Sequence, residues 1–149
     1  MLQMNTTLKI LTLGDNKIGI DGAKCLAKSL KSNTTLTEMN LGINDISNEG
    51  GVAILEAVEF NSTLKVLDIY DNDIYNEGGI SILKSLQINT SLQSMVIGGN
   101  EMDDDLEKLI EGEVKFNLEV FKSNLWPSSH HSISKKLAAV LLVLKLYLP

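Results

Sequence analysis

One spacing dominates this sequence. An asparagine recurs every 28 residues, and its first four copies begin the segments NTTL, NTTL, NSTL and NTSL. These asparagines are Asn5, Asn33, Asn61, Asn89 and Asn117. Equal spacing without insertions is typical of a repeat protein, in which each unit stacks on its neighbours. We therefore expect an array of similar layers rather than one irregular core.

Aliphatic residues occupy fixed columns within each unit. The first half of a unit reads L-x-x-L-x-L and has apolar residues two apart, which is the period of a β-strand. The second half has apolar residues four apart, which is the period of an α-helix. Because helices separate the strands, successive strands must pair in parallel. The pattern predicts an α/β solenoid with a curved parallel sheet on the concave side and helices on the convex side.

Two further columns have structural explanations. Asn16, Asn44, Asn72 and Asn100 follow the strands, where a sharp bend leaves peptide groups unpaired. An asparagine amide offers both a donor and an acceptor to such groups, so we expect a buried asparagine ladder. Gly22, Gly50 and Gly78 are expected at the helix entries, where a missing side chain lets the helix lie close to the strands.

These columns resemble the ribonuclease-inhibitor-like subfamily of leucine-rich repeats. The segments LKILTLGDNKIGIDGAKCLAKSL, LTEMNLGINDISNEGGVAILEAV and LKVLDIYDNDIYNEGGISILKSL are similar to its L-x-x-L-x-L-x-x-N-x-I/L-x-x-x-G core. Similar arrays occur in ribonuclease inhibitor, in NOD-like receptors and in Ran GTPase-activating proteins. The resemblance covers residues 5 to about 116. It implies the fold and not one function, since members of the family bind unrelated partners.

The charge pattern excludes several functions. The net charge of -6 argues against a nucleic-acid partner, because phosphate neutralisation needs clustered positive charge. Residues 1–117 carry nine Lys against eighteen Asp or Glu, whereas residues 118–149 carry four Lys against one Glu. The absence of Arg removes any arginine finger. The lone Cys25 and the lack of a secretory signal favour a cytoplasmic location.

The end of the array departs from the pattern. We assign residues 1–124 to the repeat array, with units starting at 5, 33, 61 and 89 and a partial fifth unit at 117 whose strand is worn. The run Asp103 to Asp105 is interpreted as an acidic helix start, with a metal cluster as the alternative. The adjacent His130 and His131 are interpreted as solvated loop residues rather than metal ligands.

Residues 125–149 form a linker followed by an apolar segment. That segment is shorter than the roughly 20 residues of a membrane-spanning helix. A C-terminal cap is the first interpretation, and a membrane-associating or partner-binding end or a non-native tail are the alternatives. At the other end, only four residues precede the first unit. An uncovered apolar edge there suggests a fragment of a longer array or self-association through that edge.

The candidate binding surface lies on the concave side and at the adjoining loops. Strand residues alternate, so those beside the buried columns face outward. The predicted partner-binding residues are Asp15, Glu38, Asn40, Asp45, Asp68, Tyr70, Asp71, Asp73 and Val96, and Lys17, Ile43 and Glu101 lie at the same loop edge. We expect an acidic docking strip for a basic protein surface with Tyr70 as an anchor. The alternative is that these residues are acidic only for solubility.

The sequence predicts a protein-protein interaction module without catalytic residues, cofactors or metals. It has no phosphate loop, no Cys–His pair and no nucleophile elbow. The alternatives are an activator of a small GTPase, from the resemblance to the Ran activators, and a truncated fragment of a larger protein such as a NOD-like receptor. The four Asn-x-Ser/Thr sequons are interpreted as the repeat consensus and not as glycosylation sites.

Overall fold

Four strand-helix units follow one another along the chain. The computed structural model describes residues 2–122, with side chains to residue 119. The elements are a 3-10 turn at Leu2–Met4, β1 at Ile10–Thr12, α1 at Gly19–Leu30, β2 at Glu38–Asn40, α2 at Ser47–Phe60, β3 at Val66–Asp68, α3 at Asn76–Ile88, β4 at Ser94–Val96 and α4 at Asp104–Lys122. The change of period within each unit therefore corresponds to a real change from strand to helix.

The four strands form one parallel sheet in the order β1-β2-β3-β4. The register advances by one repeat at each step, so that Leu11 lies beside Met39 and Met39 lies beside Leu67. Strands in a sheet lie about 4.8 Å apart, whereas packed helices need about 8–10 Å. The helical side is therefore the longer one and the sheet lies on the concave side, which confirms the predicted solenoid.

The core is a stack of aliphatic layers. In the second unit Leu36, Met39, Leu41, Ile46 and Ile54 are all buried, and the corresponding residues of the third unit are buried as well. Each layer lies between the sheet and one helix, and its side chains also contact the layers before and after it. Burial at about 25 cal/mol per Å² of apolar surface makes this stacking the main stabilising term.

The glycine column lies at the helix entries, as predicted, but its close neighbour is the preceding helix rather than the strand layer. Gly50 lies in the first turn of α2. A Cβ on Gly50 would lie 2.9 Å from the Cβ of Ala23 in α1 and 2.8 Å from the Cβ of Ile46. The glycine therefore allows α2 to begin directly against α1.

The predicted strand at residue 117 is wrong. Helix α4 continues through this position to Lys122. Asn117 still donates from its side chain to the carbonyl oxygen of Asn89 at 3.1 Å, so it keeps the ladder contact inside a helix. The acidic helix start is confirmed, since α4 begins at Asp104 with acidic residues in its first turn. The tail at 125–149, with His130 and His131, lies outside the described residues.

The N-terminal edge is less well covered than the interior layers. The turn at Leu2–Met4 packs beside α1, and Leu2 contacts the core. Leu11 and Leu13 of the first layer are nevertheless only half-buried, although their counterparts Met39 and Leu41 are buried. Among the described residues, no helix combines the length and apolar character needed to cross a bilayer.

Candidate docking surface

The asparagines at the strand exits join neighbouring units. The Asn44 amide nitrogen donates to the carbonyl oxygen of Leu41 at 2.9 Å, and its oxygen accepts from the backbone N–H of Asn16 at 3.2 Å. Asn72 and Asn100 repeat the second bond one and two units later. Asn44 and Asn72 are each 1% exposed, which confirms the ladder in the interior. The prediction of burial is wrong for Asn16, which is exposed because no described unit precedes its own.

A second ladder runs along the strand entries. The Asn61 oxygen accepts from the backbone N–H of Leu64 at 2.8 Å, and its nitrogen donates to the carbonyl oxygens of Leu30 and Asn33, both at 2.8 Å. Asn33 and Asn89 make the equivalent bonds. These buried nitrogens are the atoms that a glycan would occupy. Their two hydrogen bonds support the structural interpretation of these three sequons.

Besides the two ladders, a further pair of structural asparagines was missed in the sequence. The side-chain oxygen of Asn48 accepts from the backbone N–H of Tyr75, and that of Asn76 accepts from the backbone N–H of Asp103, both at 2.8 Å. Each therefore holds the entry to the next helix from the preceding unit. The signal was present, since Asn48 and Asn76 are 28 residues apart in the repeated N-E-G-G segment.

The two ladders present the predicted strip on one side of the sheet. Glu38 is paired in register with Val66, and two positions further along the strands Asn40, Asp68 and Val96 are paired in the same way. Tyr70 follows two residues after Asp68, and Asp15, Asp45, Asp71 and Asp73 lie in the strand-exit loops. The middle residue of each strand is more buried than both of its neighbours, so the flanking residues face outward. The strand residues of the predicted strip therefore share one side of the sheet, and the loop residues follow them at the strand exits.

Two of these residues also bond to the framework. The Asn40 amide nitrogen donates to the Asp68 carboxylate at 2.8 Å. Asp68 accepts in addition from the backbone N–H of Tyr70 at 2.9 Å, and the Asn40 oxygen accepts from the backbone N–H of Gly42 at 3.0 Å. Asn40 and Asp68 consequently shape the strand exits, and they have less freedom to meet a partner than their exposed neighbours.

The exposed aspartates have a backbone reason for their positions. Asp15, Asp45, Asp71 and Asp73 adopt positive φ angles between 50° and 56°. Aspartate tolerates this left-handed region because its short polar side chain bonds locally. Within the described side chains no lysine forms an ion pair with any of them, since the salt bridge found there joins Lys108 to Asp105. The four carboxylates therefore remain available.

Ile43 also has a positive φ angle, but its side chain has no polar group that could bond locally. Its φ is 58°, and the residues at the equivalent position in the other units are Asp15, Asp71 and Gly99. A β-branched residue in the left-handed region is a genuine outlier and costs roughly 1–2 kcal/mol. Its side chain is 47% exposed, so core packing does not offset this cost.

Tyr70 lies directly beside Ile43. The Ile43 backbone N–H donates to the carbonyl oxygen of Tyr70 at 2.8 Å. The Tyr70 ring covers Gly99, where a Cβ would lie 2.8 Å from a ring carbon, and it is still 43% exposed. Glycine at position 99 thus lets the ring lie flat on the neighbouring loop, which holds it in one place. Ile43 and Tyr70 are therefore two exposed, largely apolar side chains on neighbouring strand-exit loops.

The strand-entry edge differs in charge from the strand-exit edge. Lys65 lies there, and its ammonium group donates to the carbonyl oxygen of Ser62 at 3.0 Å. Desolvation by burial lowers the pKa of Lys65. No group of three His, Cys, Asp or Glu side chains in the described part of the chain is arranged to hold a metal ion. The strand-exit loops, by contrast, carry the exposed Asp15, Asp45, Asp71 and Asp73.

A family model supports the repeat assignment. The model described as a leucine-rich repeat matches residues 5–27, 32–55 and 60–83. The three segments correspond to the first three strand-helix units, and the fourth unit has the same strand, asparagine and helix. The chain is therefore a leucine-rich-repeat protein. Its assignment to the ribonuclease-inhibitor-like subfamily stays a prediction. No curated protein matches the sequence.

Solved structures share the fold. One is described as Leiomodin-1 Actin-Binding Site 2, with a TM-score of 0.74 and 26% identity over 82% of this chain and 70% of the other. Another is the tropomodulin C-terminal domain of Caenorhabditis elegans, with a TM-score of 0.52 and 14% identity over 82% of this chain and 92% of the other. The second likeness concerns the fold alone. Repeats of this kind form protein-binding folds.

Proposed function

We propose that this protein acts by binding a partner protein, and that it does so through the acidic strip with Ile43 and Tyr70 as anchors. The observation that carries the proposal is Ile43, a half-exposed isoleucine in a backbone conformation that disfavours it. Core packing does not offset the strain of this residue, which supports a role for Ile43 in contacting a partner. Strained positions that persist on a surface are typical of binding sites.

The strip also indicates the kind of partner. Asp45, Asp71 and Asp73 lie in the same strand-exit loops as Ile43 and Tyr70, and none of them forms a salt bridge with a described lysine. A basic surface with one or two apolar side chains would match this pattern, because complementary charge favours encounter and orientation. Amphipathic aromatic side chains such as Tyr70 commonly dominate the energy of an interface. The protein then works by recognition rather than by catalysis.

The test uses a short amphipathic peptide of Lys and Leu, titrated into the isotope-labelled full chain and followed by NMR. The largest shift changes are expected at the amides of Ile43, Tyr70 and Asp71. Ile43→Asn should weaken binding about tenfold, which corresponds to losing one apolar contact of about 1.4 kcal/mol. This substitution keeps the left-handed backbone, so the fold is retained.

The acidic contribution has its own matched control. Asp71→Asn with Asp73→Asn removes two charges while keeping residues that accept positive φ angles. We expect roughly a three- to tenfold loss of affinity that shrinks at high salt. Glu56→Gln with Glu111→Gln removes two exposed charges from the helical side and should change affinity less than twofold, as expected for distant exposed charges. Equal losses in the two double variants would contradict the proposal.

Actin is a second candidate partner. The leiomodin-1 structure is described as an actin-binding site and is 26% identical to this chain over most of its length. Titration of the full chain with purified monomeric actin tests this directly. If actin binds saturably and Ile43→Asn weakens this binding, actin itself would be the partner of the acidic strip. The absence of saturable binding would remove actin and leave the basic-surface proposal standing.

The N-terminal edge offers a separate contact. Among the described strands, β1 pairs with β2 alone, and the half-buried Leu11 and Leu13 lie in the first described layer. Parallel strands with a free edge pair readily with another strand. We propose self-association through this edge, which sedimentation equilibrium would reveal as a mass that rises with concentration. A constant monomer mass would contradict it.

A further inference from the structure

A groove lies on the convex side, away from the acidic strip. It runs between α1 and α2 and has a volume of about 400 Å³. Ala27, Ala53 and Ala57 line its base, and Phe60 closes the end towards the strand entries. Ligand pockets commonly measure about 300–1,000 Å³, so this groove is large enough for a few side chains of a partner segment.

The groove exists because of the residues that this unit carries. One repeat later, between α2 and α3, the position of Ala27 is taken by Leu55, which is fully buried. The positions of Ala53 and Ala57 are taken there by Ser81 and Ser85. The smaller Ala27 leaves space that the leucine fills in the next unit. A leucine at position 27 would therefore be compatible with the repeat, and the groove between α1 and α2 results from the alanine at this position.

Phe60 provides an exposed aromatic anchor at the end of the groove. It is the last residue of α2, and its side chain is 65% exposed. The Lys31 ammonium lies 4.1 Å from the centre of its ring, a cation–π contact that holds the ring in place. A large aromatic side chain that is both exposed and held in one orientation is suited to anchoring a partner.

One wall of the groove is basic. Lys24 and Lys28 of α1 and Lys31, which directly follows the helix, lie along the same face, because residues four and three apart share a helix face. All three are exposed, and none forms a salt bridge with a described side chain. The equivalent residues of the second unit are a valine and two glutamates. The row of lysines is therefore a feature of the first unit that the second unit does not repeat.

The opposite wall carries Glu56 and Glu59. Neither glutamate reaches a lysine across the groove within salt-bridge distance. A bound segment therefore meets positive charge on the α1 side, negative charge on the α2 side and alanine between them. Carboxylates of the segment must face α1, and its apolar side chains must face the alanines and Phe60, which sets one orientation.

We propose that this groove binds an acidic, aliphatic segment of a second partner protein. Charge complementarity with the three lysines selects the carboxylates, and the alanine base with Phe60 accepts the aliphatic side chains. The convex groove and the acidic strip then select partners of opposite charge on opposite sides of one array. This inference goes beyond the proposed function and does not depend on it.

The experiment compares two short amphipathic peptides on the isotope-labelled full chain, one of Glu and Leu and one of Lys and Leu with the same spacing. The Glu-Leu peptide is expected to shift the amides of α1 and α2 saturably and to bind there at least about tenfold more tightly than the Lys-Leu peptide. Equal affinity of the two peptides at α1 and α2, or no saturable binding of the Glu-Leu peptide, would overturn the proposal.

Two variants locate the site. Ala27→Leu introduces the residue that the next unit has at this position, so it should fill the groove and lower the affinity for the Glu-Leu peptide about tenfold. Gly112→Leu, on the exposed surface of α4, is the control and should leave this affinity unchanged. Lys24→Gln with Lys28→Gln should lower affinity about fivefold, and Lys84→Gln with Lys115→Gln serves as the equal-charge control. Unchanged affinity in the lysine pair would overturn the proposal even if Ala27→Leu did not fold.

Discussion

The first and second repeats follow the same pattern but have different environments. Leu41 of the second unit is 0% exposed, whereas Leu13 of the first unit is half-buried. The Asn44 side-chain nitrogen donates both to its own unit and to the one before, whereas the Asn16 side-chain nitrogen donates to carbonyl oxygens of its own unit. The difference arises because the second unit has described neighbours on both sides. The contribution of a repeated residue to the stability of a solenoid therefore depends on the neighbouring units as much as on the residue type.

The largest difference is expected at the asparagine column. Asn44→Ala would leave several buried backbone groups without partners, at about 1–3 kcal/mol for each. We expect a loss of about 4 kcal/mol in the free energy of unfolding, measured by urea denaturation. Asn16→Ala should cost less than about 1 kcal/mol because water replaces its bonds. Similar losses at the two positions would break the comparison.

The leucine column should show a smaller contrast. Leu41→Ala removes a fully buried side chain and leaves a cavity, so we expect a loss of about 3 kcal/mol. Leu13→Ala at the outer layer should cost about half as much, because its surroundings are already partly solvated. Thermal unfolding of both variants measures the difference. A greater loss for Leu13→Ala would indicate that another chain covers the first layer.

The smallest expected effect is a gain in the free energy of unfolding rather than a loss. Ile43→Asn should stabilise the protein by about 1 kcal/mol, because asparagine accepts the left-handed conformation that isoleucine resists. Asp15→Asn at the equivalent position of the first unit should change stability by only a few tenths of a kcal/mol. Calorimetry of the two variants sharpens the comparison. A destabilised Ile43→Asn would show that Ile43 serves the fold and not a partner.

The repeated residues were predictable and the exceptions were not. The spacing of the asparagines and leucines was sufficient to predict parallel strands, the ladder at Asn44 and Asn72 and the outward-facing positions of the strip. The helix through Asn117 was missed because the asparagine remained after the strand pattern had faded. The role of Asp68 was missed because its bond to Asn40 crosses between units.

By itself, the sequence determined the 28-residue layer and the parallel sheet, because periodicity alone sets which residues share a face. The tertiary structure decided which layers are fully buried, that Ile43 lies in a left-handed position beside Tyr70, and that Ala27 leaves a groove below Phe60. These depend on contacts between units, and a pattern read one unit at a time does not contain them.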